Sequence, residues 1–188
     1  MQAVQNPLKT EKVSKLLRTF AIPSIIAMLV SALYNIVDQV FIGWSIGALG
    51  NAATNVAFPL TTICIAIALM FGIGGASAFN LTMGEGDAKR AAFYVGNAIS
   101  MLVICGVVLC IVAHLFLTPM LRFFGSTQDI LGYARTYTAI TAFGFPFLIL
   151  ATGGGHLIRA DGSPRFTMTC NLVGAIINLI LDPIFIFG

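Results

Sequence analysis

Five long apolar runs, separated by short polar or glycine-rich connections, dominate this 188-residue chain and decide its solvent. They cover Thr19 to about Ile42, Ala52–Phe79, Ala91–Leu117, Gly132–Ile158 and Phe166–Phe187. A helix needs about 20 mostly apolar residues to cross the hydrocarbon core of a bilayer. The first run is too long for a signal-peptide core of roughly 7–15 residues. All five exceed the roughly 9–11 residues of a barrel strand and lack its two-residue alternation. Lipid offers no hydrogen bonds to a bare backbone, so each run is predicted to be a helix that satisfies its own backbone groups. The expected fold class is an all-α polytopic membrane protein with five transmembrane helices. Residues 1–18 are read as an amino-terminal segment and residues 19–188 as the helical region.

Composition closes the soluble alternatives. The chain is 58% hydrophobic and 9% charged, against about 25% charged for soluble domains. Seven acids and ten bases cannot coat a water-facing surface of this size, which excludes soluble enzymes. The net charge of +3 comes from bases grouped at span ends, so no nucleic-acid partner is expected and the lipid bilayer is the first partner. Cys64, Cys105, Cys110 and Cys170 all fall inside apolar runs without paired spacing. They are read as small packing residues, with neither a disulfide framework nor a metal site implied.

The connections set the orientation. They are Gly43–Asn51, Asn80–Arg90, Thr118–Leu131 and Arg159–Arg165. Lys9, Lys12, Lys15, Arg18, Lys89, Arg90, Arg159 and Arg165 fall on one side, and only Arg122 and Arg135 on the other. The positive-inside rule then places the amino terminus in the cytoplasm and runs the first and fifth spans outward. The chain ends in Ile184-Phe185-Ile186-Phe187-Gly188 without a charged flank, and is expected to be the front part of a longer protein.

Charged side chains in a bilayer cost roughly 2.5–3.5 kcal/mol on insertion scales, so each needs a reason. Two acids qualify: Asp38, late in the first span, and Asp182, late in the fifth. Tyr34 precedes Asp38 by four residues and Asn178 precedes Asp182 by four, which stacks each acid one turn from a polar neighbour on the same helix face. Ser31 and Asn171 continue the two stripes. One reading makes these acids water-facing groups near the headgroups. The other makes them a cation or proton site, in which the carboxylates supply charge and Tyr34 and Asn178 supply neutral oxygens.

Prolines and glycines add architecture. Pro23, Pro59 and Pro146 fall inside spans and Pro183 follows Asp182 directly. Each removes an intrahelical hydrogen bond and can bend its helix. Gly72, Gly74 and Gly75 in the second span and Gly153, Gly154 and Gly155 in the fourth allow close helix approach. His156 after the second triplet is read as a packing or interfacial residue, and the triplet lacks the context of a phosphate loop.

The stretch FAIPSIIAMLVSALYNIVDQVFIG (Phe20–Gly43), the turn RADGSPR and the stretch NLILDP together resemble the amino-terminal half of a multidrug and toxic compound extrusion (MATE) transporter. The resemblance covers the whole chain. It implies five helices that form most of one six-helix lobe of a twelve-helix transporter. It further implies a cation-binding site at Asp38, Tyr34, Asn178 and Asp182, a bending first helix at Pro23, and Na+ coordination, if Na+ is the ion, at Asp38, Asn178 and Asp182. The implied activity is antiport, with Na+ or H+ driving export of amphipathic, often cationic, drugs from a bacterial plasma membrane. No cofactor beyond the coupling ion and no enzymatic activity are expected. The remaining partner would be helices six to twelve of the same transporter. Three other readings stand beside this one. A lipid-linked saccharide flippase of the same superfamily would be expected to carry bases in its span interiors. An intramembrane aspartyl protease would be expected to show a Gly-x-Gly-Asp context, whereas Asp182 is followed by proline. A non-transporting structural fragment is the third.

Two outcomes follow from the charge pattern and the incomplete lobe. A cysteine placed in the Gly43–Asn51 connection should react with impermeant maleimide on intact cells, and one in Asn80–Arg90 should not; the reverse pattern would invert the topology. Drug-efflux assays of the 188-residue product expressed alone should match an empty vector.

Overall fold

A computed structural model describes residues 12–187. Lys9 and most of the amino-terminal segment before the first helix lie outside the described residues. The elements are α1 (Val13–Ser45), α2 (Ala48–Gly84), α3 (Ala88–Leu115), a short α4 (Leu117–Phe123), α5 (Gln128–Thr141), a 3-10 turn at Ala142–Gly144, α6 (Phe145–Ala160) and α7 (Pro164–Phe187). Five helical segments are long and apolar enough to cross a membrane, with α5, the turn and α6 acting as one of them. The described residues contain no strand.

Helix boundaries depart from the apolar boundaries in a consistent direction. Helix α1 starts at Val13, six residues before Thr19, and so carries Lys15 and Arg18 on helical backbone. The first connection shrinks to Ile46 and Gly47, and the third contains α4. Polarity marks where lipid ends, whereas a helix ends only where some residue turns the chain, so charged turns extend beyond the apolar runs. Gly86 shows the turning device: at φ 89° it occupies a left-handed conformation that suits glycine. Around it the Gly86 N–H donates to the Met83 carbonyl and the Asp87 N–H to the Thr82 carbonyl, closing α2 in a Schellman motif. The Asp87 carboxylate then accepts from the Arg90 N–H at 3.0 Å and caps α3.

Pro146 is also placed differently from a mid-span kink. The fourth span breaks at the 3-10 turn, and Pro146 sits in the first turn of α6, where a missing N–H costs nothing.

The chain divides into two compact units, Met1–Asp38 with Ser163–Gly188 and Gln39–Gly162. In the second unit, α2, α3 and α6 pack around Leu60, Cys64, Ala68, Leu102 and Ile149, all at most 1% exposed. Small residues set the helix separations. A Cβ added at Gly72 would lie 2.7 Å from both Cα and O of Gly153, and one at Gly75 would lie 2.5 Å from Ala98 Cβ. Gly106 of α3 meets Pro146 equally closely, at 2.7 Å from its Cα. Gly74 and Gly154, by contrast, face open space, so close approach uses part of each glycine cluster. Leu121 of α4 is fully buried with Ala53 and Ala134 in a smaller core. His114 links two elements, with Nε2 3.0 Å from the Ala139 carbonyl and its ring 4.4 Å from that of Phe143. Among the cysteines, only Cys64 is a buried core residue; Cys105 and Cys110 are half-buried and Cys170 is exposed. Their apolar context reflects the lipid-crossing helices on which they lie as much as protein packing.

The first unit comprises most of α1 together with α7. Large apolar side chains on both remain open, including Leu33 at 61% and Ile180 at 56% exposure, as suits helices whose solvent is lipid.

The glycine contacts predict a sharp contrast. Gly72→Ala should destabilise by about 1–3 kcal/mol, because the Gly153 backbone cannot rotate away from an added methyl, and Gly153→Ala by about as much, because its methyl would overlap the fully buried Leu102 side chain at 2.5 Å. Gly74→Ala, one helix face away, should stay within about 0.5 kcal/mol of the parent. Thermal unfolding in a mild detergent would measure both, and equal losses at all three positions would remove the packing explanation.

Candidate functional site

All five residues expected at the site, Pro23, Tyr34, Asp38, Asn178 and Asp182, lie in the unit formed by the α1 and α7 segments. On α7, Asn178 Nδ2 donates to Asp182 Oδ1 at 3.0 Å. The four-residue spacing makes this bond possible by setting the two side chains on one helix face. It orients the amide so that both groups present an oxygen elsewhere. Asn178 Oδ1 and Asp182 Oδ2 are shut off from solvent and accept no hydrogen bond among the described residues. Buried acceptors of this kind are costly unless something electropositive approaches them. A carboxylate oxygen beside an amide oxygen suits a hard cation, which takes oxygen ligands, or a proton shared by the acid.

On α1, Tyr34 and Asp38 are both half-buried, and Ser31 one turn earlier is half-buried as well. Asn35 does not join that stripe: it is exposed, and its Nδ2 donates to the Ser31 carbonyl at 2.7 Å. Asn171, read as an extension of the α7 stripe, is exposed. Gln39 turns to another task. Its Oε1 accepts from Thr54 Oγ1 at 3.2 Å, and that hydroxyl also lies 3.0 Å from the Asn51 carbonyl. This α1–α2 tie, next to Asp38 in the chain, has no signature in the sequence, because no periodic pattern relates residues 15 apart.

Helix register sets the depth of the two acids. Pro23 is buried, and with Met168 of α7 it lines one cleft between the amino-terminal parts of the two helices. Asp38 lies fifteen residues beyond Pro23 and Asp182 fourteen beyond Met168. At 1.5 Å per residue these are rises of about 22 Å along α1 and 21 Å along α7. Helix α1 is continuous through Pro23, as α7 is through Pro183. Each proline still leaves the carbonyl four residues earlier without its helical donor. His156 is half-buried on α6 and belongs to the other unit.

Comparison with known proteins places the chain in a family. The MatE family profile matches residues 23–184, nearly the whole described chain. The chain belongs to the MatE family. It is 28% identical over 181 residues to a protein of Shewanella oneidensis named FAD transporter, covering 96% of the chain and 40% of that protein. It is 27% identical over 174 residues to the multidrug export protein MepA of Staphylococcus haemolyticus, covering 93% of the chain and 38% of MepA. Among solved structures, the MATE multidrug transporter DinF-BH matches at a TM-score of 0.92 and 37% identity, over 100% of this chain and 42% of that one. A MOP-superfamily transporter from Pyrococcus furiosus matches at 0.85 and 26% identity, over 92% and 38%. This MatE chain therefore spans about 40% of the length of these relatives.

Proposed function

We propose that this chain is the amino-terminal portion of a cation-coupled antiporter that exports amphipathic, often cationic, organic compounds. The observation that carries the reading is the Asn178–Asp182 bond, which leaves two solvent-shielded oxygens without a hydrogen-bond donor among the described residues. Family membership supports transport over enzymatic chemistry, and relatives named for multidrug export support drugs as cargo. The reading includes a bacterial plasma-membrane location with the amino terminus cytoplasmic, and no cofactor beyond the coupling ion.

In this reading Na+ or H+ is a transported substrate. Asp38 and Asp182 supply negative charge, while Tyr34 and Asn178 supply neutral oxygens. Entry of the cation from outside neutralises the acids and removes the cost of holding them charged in a low-dielectric region. That change favours a bend of α1 at Pro23, where the helix already lacks one hydrogen bond, and the bend reduces the drug cavity. Return to the inward-open state releases the cation. Coupling exists only because cation and drug each bind the two states with different affinity. Helices six to twelve of the same transporter complete the cavity.

A second cargo is favoured by one observation: the Shewanella relative is named FAD transporter. A phosphate-bearing cargo would need cationic groups along its path, and this makes FAD a necessary control in any export assay.

The test uses the complete transporter in proteoliposomes under an imposed Na+ or H+ gradient. Asp38→Asn and Asp182→Asn preserve shape and remove charge, and each should abolish gradient-driven efflux while leaving folding intact. Tyr34→Phe and Asn178→Ala remove one neutral ligand each and should weaken apparent cation affinity by about tenfold, the scale of a hydrogen bond to a charged group. Parental pumping by both Asp-to-Asn proteins would establish the acids as water-facing groups outside the coupling path.

A further inference from the structure

The cleft shared by the amino-terminal parts of α1 and α7 has a composition that the transport reading does not use. Its volume is about 490 Å³, and its lining includes Lys15, Arg18 and Arg165, with the hydroxyl-bearing Ser14 and Thr19 beside them. Among the described residues, no carboxylate lines it. The lining then changes character along the helices. Ile22, Pro23 and Ile26 of α1 and Met168 of α7 form an apolar wall below the bases. From Lys15 to Ile26 is eleven residues, a rise of about 16 Å on a helix. Ile22 and Ile26 are 52% and 41% exposed, so the wall is open to an occupant.

We infer that this cleft binds an anionic phospholipid, with Arg18 and Arg165 on the headgroup phosphate and the apolar wall against the first part of an acyl chain. The cationic character rests on the two arginines, whose guanidinium forks match phosphate geometry. A free phosphate ion would account for the bases alone. It would leave the apolar wall, about one turn deep from Ile22 to Ile26, without a partner, whereas a phospholipid matches both halves in the order in which they occur. The orientation proposed from the base distribution puts the cleft in the cytoplasmic leaflet, where anionic lipids attract basic segments at about 1 kcal/mol per base. The site lies at the other end of α1 and α7 from Asp38 and Asp182, so it can stand even if the coupling reading fails. Because Pro23 is part of its wall, an occupying lipid would also touch the one place where α1 lacks a helical hydrogen bond.

Native mass spectrometry of the purified full chain, in micelles containing equal amounts of phosphatidylglycerol and phosphatidylcholine, tests the inference. Phosphatidylglycerol adducts should predominate. Arg18→Gln and Arg165→Gln should each reduce that preference about fivefold and the pair about 25-fold, the fold-change equivalent of one surface charge each. Arg122→Gln, which removes a base from α4, should leave it unchanged. Arg18→Lys and Arg165→Lys keep the charge and should retain most of the preference, which separates loss of binding from loss of folding. Inorganic phosphate or FAD in large excess should not displace the lipid. Equal retention of both lipids, an undiminished preference in the double glutamine variant, an equal fall with Arg122→Gln, or displacement by phosphate or FAD would each overturn the assignment.

Discussion

A leucine in a bilayer gains little by moving from lipid to protein, because the two surroundings are about equally apolar. The helices of this chain therefore cannot be held by burial of large side chains alone, and contact distance becomes the main resource. Backbone meets backbone at Gly72 and Gly153, the Ala98 methyl sits too close to Gly75 to admit a second methyl, and Gly106 accepts the ring of Pro146. Those contacts bring α2, α3 and α6 near enough for dispersion to act over their whole length. The fully buried side chains, Leu60, Leu102 and Ile149 among them, fill the space that these approaches define.

The same solvent makes polar groups expensive and hence informative. Helix α7 carries an amide bonded to an acid one turn away, and the geometry leaves an oxygen of each shielded and without a donor among the described residues. In water such a pair would be unremarkable, since solvent would complete it. In a low-dielectric segment an uncompensated pair of acceptors is costly, and the proposed function gives it a positive partner. Family membership gives that capacity a context, since relatives over this region include multidrug exporters and a transporter named for FAD. A basic cleft at one end of α1 and α7 and an acidic stripe near the other give the two helices opposite chemistry at their two ends. The proposed ion site and the proposed lipid cleft then share Pro23 but none of the charged residues.

Much of this was legible in the amino-acid order. Run length and the absence of alternation were sufficient for five helical spans, because lipid admits no other open form. Four-residue spacing was sufficient to pair Tyr34 with Asp38 and Asn178 with Asp182 on common faces, since the helix repeat is a local property. Boundaries were less legible: α1 starts before its apolar run, and all of α4 but Leu117 lies inside a stretch read as a connection. Hydrophobicity reports the lipid boundary, and a backbone can stay helical beyond it wherever no residue turns it. Pro146 lost its role as a mid-span kink for a related reason, since the break at Ala142–Gly144 precedes it and has no apolar signature.

Sequence alone determined the solvent, the number of spans, the polar stripe on each of two helices and the family likeness, all of which depend on residues near one another in the chain. Tertiary structure alone decided which glycines are contacts and which face open space, that Gln39 reaches Thr54, that the two oxygens left over by the Asn178–Asp182 bond are shielded from solvent, and that Arg18 and Arg165 share one cleft. The physical reason is range. Periodicity and hydropathy are set by the helix and its solvent within a few residues, whereas a contact between helices depends on rotation and rise accumulated over tens of residues, where one turn of difference points a side chain at lipid instead of at its partner.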